Sequence, residues 1–238
     1  MPSRDPLTKG EKRKLSRLRS DLLAWASTNG RSFPWRSKEA GDYEMIVAEV
    51  LLQRTTATAV ANFFDAFTEK YPGWNDLAAA HTADLEQFLR PLGLWRRRSV
   101  SLLGIAHYAS VHGGQFPEIA EEHRDIPAVG QYVSNAILMF QHSQAKPLLD
   151  VNMARVIERF IRHRRLADIR HDPWLREAAA WLVRSGDSSE VNWAVLDFAA
   201  LVCRSRTPRC LTCPVRTRCT YFRSIQQSVS TPRRKVLR

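Results

Sequence analysis

A chain of 238 residues, 44% of them hydrophobic, can bury a substantial core as one large domain or two small ones. Lysine and arginine outnumber aspartate and glutamate by 36 to 24, for a formal net charge of +12 and a pI near 10.1. No apolar run approaches the length of a spanning helix, MPSRDPLTKGEKRK lacks an apolar signal core, and no amphipathic basic anchor is present. The balance therefore favours a polyanionic partner, nucleic acid before membrane.

Lysine occurs only at 9, 12, 14, 38, 70, 146 and 235, and arginine supplies the remaining cations. Guanidinium groups make bidentate phosphate contacts and stack on bases, which suits a surface that meets a duplex. On charge alone, a basic enzyme with a solvated surface fits as well.

In chain order, Leu15, Leu18, Leu22 and Trp25 outline a helix that stops near Asn29-Gly30. Ser32-Phe33-Pro34-Trp35-Arg36 reads as an extended connector with two aromatics for a core. From Asp42 to Ala59, Ile46, Val47, Val50 and Leu51 share one helical face. Glu49 and Gln53 stand one turn apart on a neighbouring face, where periodicity alone makes Glu49 a paired surface charge. A helix with Val60, Phe63, Phe64 and Phe67 follows, then a turn at Tyr71-Pro72-Gly73 and a helix through Leu85, Phe88 and Leu89. These aromatics are core.

Pro91-Leu92-Gly93-Leu94-Trp95-Arg96-Arg97-Arg98 joins an apolar tip to three consecutive arginines. Apolar wedges beside phosphate-binding arginines, of which Arg96 is one candidate, are how proteins pry open a base step; the plainer reading of Leu94 is a buried loop leucine. A helix from Ser99 to His112 ends at Gly113-Gly114, and a charged helix leads on to Ile126.

The stretch Ile126-Pro127-Ala128-Val129-Gly130 is a short turn opening a helix whose Val133, Ala136, Ile137 and Phe140 recur at i, i+3, i+4 and i+7. Such a start offers backbone N–H groups, here at Val129 and Gly130, to a phosphate. Asp150 then precedes a helical pattern of Val156, Ile157 and Phe160 among Arg155, Arg159 and Arg162. It reads as an N-cap and as a carboxylate delivered to a bound ligand, and a cap would keep it ionised and oriented. Further amphipathic helices are expected near 151–163, 173–184 and 191–202. No strand-like alternation or internal repeat occurs, so the chain is expected to be all-α, with SIQQSVSTPRRKVLR as a disordered basic tail.

All four cysteines fall in one stretch, Cys203, Cys210, Cys213 and Cys219, spaced C-x6-C-x2-C-x5-C. In a reducing compartment they are metal ligands sooner than disulfides. The spacing leaves both zinc and an iron-sulfur cluster open. Arg204, Arg206 and Arg209 lie between the first two; on a loop pinned by a metal centre they would meet phosphates at little ordering cost.

On these motifs the chain resembles the helix-hairpin-helix DNA glycosylases of the endonuclease III superfamily. IPAVG is similar to the family's L-P-G-V-G hairpin, with Ala128 where a glycine usually stands. Alanine tolerates positive φ poorly, so a slightly reshaped hairpin is expected. FPWR at 33–36 and DVNMARV at 150–156 are similar to family segments. LLQRTTA at 51–57 and LDFAALVC at 196–203 look more like mismatch-specific thymine DNA glycosylases than adenine glycosylases.

The resemblance implies a two-lobed all-α fold, with a six-helix barrel domain and an iron-sulfur cluster domain. Its segments here would be 1–38, packing on the cluster domain, 39–148 for the barrel, 149–222 for the C-terminal helices and cluster loop, and 223–238 for the tail. It implies a pocket role for Glu49, DNA contacts from Gln53, and insertion of Arg54 and Leu94 at the flipped nucleotide. It makes Cys203, Cys210, Cys213 and Cys219 ligands of a [4Fe-4S] cluster.

It also makes Asp150 the catalytic carboxylate, with Asn152 in support, facing the positive charge that builds on the sugar as the glycosidic bond breaks. Family members that also cut the strand carry a lysine where this chain has Tyr132, and a phenol cannot form an imine. The expectation is a monomeric, cytoplasmic, nucleoid-associated monofunctional glycosylase, acting on thymine or uracil opposite guanine in double-stranded DNA. The alternatives are an adenine glycosylase, against which the absence of a second lesion-reading domain speaks, and a non-catalytic DNA-binding module.

Overall fold

The computed structural model describes residues 6–230, and among them there are only helices and connections, no strands. The helices are α1 (Lys9–Asn29), α2 (Asp42–Leu51), α3 (Ala57–Lys70), α4 (Trp74–Ala78), α5 (Thr82–Leu89), α6 (Trp95–Val111), α7 (Gln131–Phe140), α8 (Val151–Phe160), α9 (Pro173–Val183), α10 (Ser188–Leu201) and α11 (Thr220–Ser230). None is long and apolar enough to cross a membrane. The chain divides into two compact units: a central one, Ser32–Lys146, and a terminal one built from Met1–Arg31 and Pro147–Arg238.

Six helices, α2 to α7, make the central unit around a core that includes Ile46, Leu51, Phe64, Phe67, Leu85 and Leu89. The aromatic connector does what its composition suggests. Phe33 stacks on the buried Trp35 at 4.8 Å, and Trp35 meets Phe64 edge-on at 5.2 Å. Each such buried side chain stabilises the fold by about 1.5–3 kcal/mol relative to exposure. Gly104, inside α6, is explained by close approach: a Cβ there would lie 2.9 Å from the Pro127 carbonyl oxygen. A helix-interior glycine costs about 1 kcal/mol against alanine, and here it lets the 126–130 turn seat directly on α6.

The segment read as helical from Asp42 to Ala59 is interrupted at 52–56. Thr56 takes up an extended conformation and caps α3 by accepting from the Ala59 N–H at 3.3 Å. Gln53 consequently lies in an exposed turn beyond α2 and is not a helical neighbour of Glu49. The charged helix expected before Ile126 is only a short 3-10 turn at Glu122–Asp125, fixed by His123. Its buried ring meets the Ser134 hydroxyl at 2.7 Å and the Pro117 carbonyl at 2.7 Å, which ties the turn to α7. The helix expected from Ser99 begins four residues earlier, so the three arginines form the first turn of α6.

In the terminal unit α1 packs on α9 and α10, and α8 sits against α9, α10 and α11. Leu15, Leu18 and Leu22 are fully buried, and Trp25 meets Phe198 edge-on at 5.4 Å. Asp197, 1% exposed, accepts from the Arg31 backbone N–H at 2.7 Å and from its Nε at 2.8 Å, closing the end of α1 onto α10. The stretch expected to be disordered from 223 is helical as far as Ser230. Residues 223–230 contain neither glycine nor proline, and Tyr221 and Phe222, at the start of α11, are half-buried; residues 231–238 lie outside the described residues.

Candidate functional site

In the central unit, α2 presents Glu49 and α7 presents Tyr132. Glu49 is only 2% exposed. The Tyr132 hydroxyl donates to its carboxylate at 2.6 Å, so the two residues expected at the pocket are in contact. A carboxylate this buried would be costly without hydrogen-bond partners.

The turn before α7 is held by hydrogen bonds from the Ile126 N–H to the His123 carbonyl and from the Val129 N–H to the Ile126 carbonyl, each 3.2 Å, so the Val129 N–H expected to face a phosphate is engaged inside the turn. Ala128 adopts φ 62, the left-handed region. The hairpin thus keeps the backbone conformation a glycine would supply, and strains an alanine to do so, at a cost of about 1–2 kcal/mol. Gly130 starts α7 without a side-chain cap, at an ordinary φ of −88. A Cβ there would meet nothing within 4 Å, so room beside the first N–H groups of α7 is open to a ligand.

Three further non-glycine residues have positive φ: Ser143 at 52, after α7, and the pair Arg54 at 57 and Leu94 at 50. Both members of the pair are exposed, Leu94 by 46%. Gln53 and Arg96 are exposed beside them. Left-handed backbone at non-glycine positions persists only where the surroundings impose it, and it concentrates at functional sites. Beneath both loops lies Arg98, 3% exposed, whose guanidinium burial holds below the usual arginine pKa range. Nothing in the sequence distinguishes it from Arg96 and Arg97 except its position on α6, which points it inward.

In the terminal unit, Asp150 caps α8. Its Oδ1 accepts from the Asn152 N–H at 2.9 Å and the Met153 N–H at 2.8 Å, and its Oδ2 accepts from Asn152 Nδ2 at 2.5 Å. Although Asp150 is only half-buried as a residue, burial dominates its titration and lifts its pKa above the ordinary carboxylate range, against the opposing pull of these bonds and of Arg155. The cap thus orients the carboxylate as expected but does not hold its pKa down.

Arg155, Arg159 and Arg162, which follow Asp150 in the chain, are engaged within the protein. Arg155 donates to the Asn152 side-chain oxygen at 3.1 Å and to the Cys203 carbonyl at 2.8 Å. Arg159 donates to the carbonyls of Arg204 and Ser205 at 2.6 and 2.8 Å. Arg162 pairs with Glu11 at 2.8 Å. A hydrogen-bonded path therefore runs from Asp150 through Asn152 and Arg155 to the first cysteine.

Cys203, Cys210, Cys213 and Cys219 all line one pocket, together with Val156, Phe160 and Val215. Among the described residues no three cysteine, histidine, aspartate or glutamate side chains form a group that could hold a single metal ion. Arg206 is exposed on the cysteine loop and Arg204 is half-buried.

Residues 47–172 match the family described as HhH-GPD superfamily base excision DNA repair protein, a span that includes Glu49, Arg54, Leu94, the 126–130 turn, Tyr132 and Asp150. The chain is 31% identical to a thymine-DNA glycosylase of Aeropyrum pernix, over 89% of this chain and 97% of that one. It is 29% identical to a thymine/uracil-DNA glycosylase of Methanothermobacter thermautotrophicus, over 85% and 92% respectively. Adenine DNA glycosylases follow among the relatives. A solved structure of a thermostable thymine-DNA glycosylase superposes with a TM-score of 0.77 at 27% identity, covering 91% of this chain and all of the other.

Proposed function

Because this chain belongs to the HhH-GPD superfamily of base excision DNA repair proteins, we propose that it is a monofunctional DNA glycosylase that hydrolyses the N-glycosidic bond of thymine or uracil mispaired with guanine. The observation that carries the chemistry is Asp150: an oriented carboxylate, braced by Asn152 at the start of α8 and raised in pKa by burial. A partly desolvated carboxylate interacts strongly with cationic charge. As the bond to a flipped nucleotide lengthens, the sugar acquires positive charge. Asp150 in its ionised form stabilises that charge, or takes the proton of the attacking water.

The choice of thymine or uracil rests on the LLQRTTA and LDFAALVC segments and on relatives that carry those names. A G·T or G·U wobble pair is cheaper to open than a matched pair, which favours extrusion of the mispaired base. Exposed Arg54 and Leu94 are the groups to fill the space it leaves.

Absence of lyase activity is supported by Tyr132, whose phenol is hydrogen-bonded to Glu49 and offers no amine. Water is then the nucleophile, and cutting the strand requires added alkali.

The four thiols around one cavity suit a [4Fe-4S] cluster that bridges them. When bound, such a cluster supplies a rigid crosslink for the loop that carries Arg204 and Arg206. Cys203, Cys210, Cys213 and Cys219 would hold it, with Arg155 and Arg159 clamping the carbonyls of residues 203 to 205.

The deciding experiment offers duplexes containing G·T, G·U and A opposite 8-oxoguanine, each with and without alkali. Excision from G·T and G·U, with strand breaks only after alkali, is expected. Efficient release of adenine opposite 8-oxoguanine, with G·T and G·U untouched, would instead assign the adenine glycosylase activity. Binding without excision of any base would leave a DNA-binding module.

A further inference from the structure

The central unit brings together two loops far apart in sequence: Leu52–Thr55, between α2 and α3, and Leu92–Leu94, ahead of α6. A single side chain lies under both. Arg98 Nη1 donates to the Leu92 carbonyl at 2.7 Å and also to the Gly93 carbonyl, while its Nη2 donates to the Gln53 carbonyl at 2.7 Å and to the Thr55 hydroxyl oxygen. The Thr55 hydroxyl in turn donates to the Leu92 carbonyl at 3.3 Å, closing the bridge.

The positions of the acceptors matter. The Gln53 carbonyl belongs to the peptide immediately before Arg54, and the Gly93 carbonyl to the peptide immediately before Leu94. Pinning those two peptide planes fixes the frame from which the following residue of each loop projects. Arg54 and Leu94 are also the two exposed residues of these loops held at left-handed φ. A buried cation whose hydrogen-bond acceptors here are all neutral is a poor device for stability alone. As a fork that reaches four acceptors on two loops, it is well suited to fixing their relative geometry.

We propose that Arg98 is a positioning residue: its buried guanidinium locks the 52–55 and 92–94 loops into one unit, so that Arg54 and Leu94 enter the duplex together at a fixed separation. The role rests on the reading of both residues as inserting side chains. It assigns Arg98 no contact with DNA.

The test uses a G·U duplex with 2-aminopurine beside the mismatched base, whose fluorescence rises when that step is unstacked, whether or not a base is excised. The wild type is expected to raise the signal on binding. Arg98→Met is expected to bind with a Kd close to wild type, because exposed Arg96 and Arg206 remain, yet to lower the rise and the single-turnover excision rate together by about tenfold, the scale on which freeing two strained residues shifts a population. Arg98→Lys should recover part of the rise. Thr55→Val removes one acceptor and the bond to Leu92 without altering a buried charge, and should show an intermediate loss.

A folded Arg98→Met protein with a wild-type rise overturns the proposal. If that variant does not fold, an unchanged rise in Thr55→Val does so. No rise with the wild type also overturns it, since nothing is then inserted for Arg98 to position. A wild type that unstacks the duplex but excises nothing removes the glycosylase function and leaves the positioning role standing.

Discussion

The Tyr132 hydroxyl donates to the Glu49 carboxylate at 2.6 Å, joining the first turn of α7 to the buried face of α2 across 83 residues of sequence. That contact refines what a lysine at position 132 would do. Tyr132→Lys places an amine opposite a carboxylate, and an opposite charge at this range favours the ammonium. The variant is expected to gain strand cleavage without alkali and to be trapped covalently by borohydride. Both gains should strengthen as the pH rises, because Glu49 raises the pKa of the new amine. Borohydride trapping of the wild type would contradict a monofunctional mechanism, and a variant that still excises but never traps would place residue 132 away from the sugar.

Asp150→Asn should lose on the order of 10² or more in single-turnover excision, the scale for removing a key electrostatic group, while binding mismatched duplex nearly as well. The same substitution is expected to raise the Tm at neutral pH. Burial raises the pKa of this carboxyl in the folded chain, so the fold takes up a proton more readily than the unfolded chain does. The group's contribution to stability is therefore most favourable at low pH and declines as pH rises through the unfolded and then the folded pKa. Asparagine caps a helix about as well as aspartate and carries no charge to desolvate. Thermal melts at pH 7 check the sign; a clear fall in Tm would show that the ionised cap stabilises the fold.

Asn152→Ala removes the 2.5 Å amide bond to Asp150 Oδ2, an interaction that lowers the carboxyl pKa. The acid limb of the excision rate should therefore move to higher pH than in the wild type, with a smaller loss at the plateau. Single-turnover rates across the acid range measure this directly. An unshifted limb would mean that another group controls it.

Purified protein should be brown, with iron and acid-labile sulfide at about four each per chain if the cluster is [4Fe-4S]. Cys213→Ser should lower both contents and the Tm together. Colourless, fully active protein with one zinc would reverse the assignment.

Ala128→Gly relieves the strain at φ 62 but adds freedom to the unfolded chain, so stability should change by less than about 1 kcal/mol. Ala128→Val, β-branched at a left-handed position, should cost about 2 kcal/mol or more. Urea titrations separate the two; equal effects would mean that the turn relaxes away from positive φ.

Much of this protein is local and was open to reading in the sequence alone. Helix-period spacing of Leu15, Leu18 and Leu22, or of Val133, Ala136 and Ile137, identifies faces that must be buried, and those residues are buried. A carboxylate just ahead of an apolar pattern identifies the α8 cap, because capping involves only the next three residues. The cysteine spacing gathers four thiols within seventeen residues, and all four line one pocket. What failed lay where no periodic signal exists: the break at 52–56, set by Thr56 turning outward to cap α3, and the short turn at Glu122–Asp125, set by one buried histidine.

Tertiary structure alone decided which of many arginines face inward. Arg96, Arg97 and Arg98 are chemically identical in the sequence, yet only the last is buried, because α6 begins at Trp95 and turns that position toward the carbonyls of two loops. Arg155 and Arg159 brace the cysteine loop and Arg162 pairs with Glu11, partners that their spacing does not reveal. The contact between Glu49 and Tyr132, and the desolvation that lifts the Asp150 pKa, likewise depend on neighbours distant in sequence. A guanidinium's role follows from which acceptors the fold carries to it, and residue type says nothing of that.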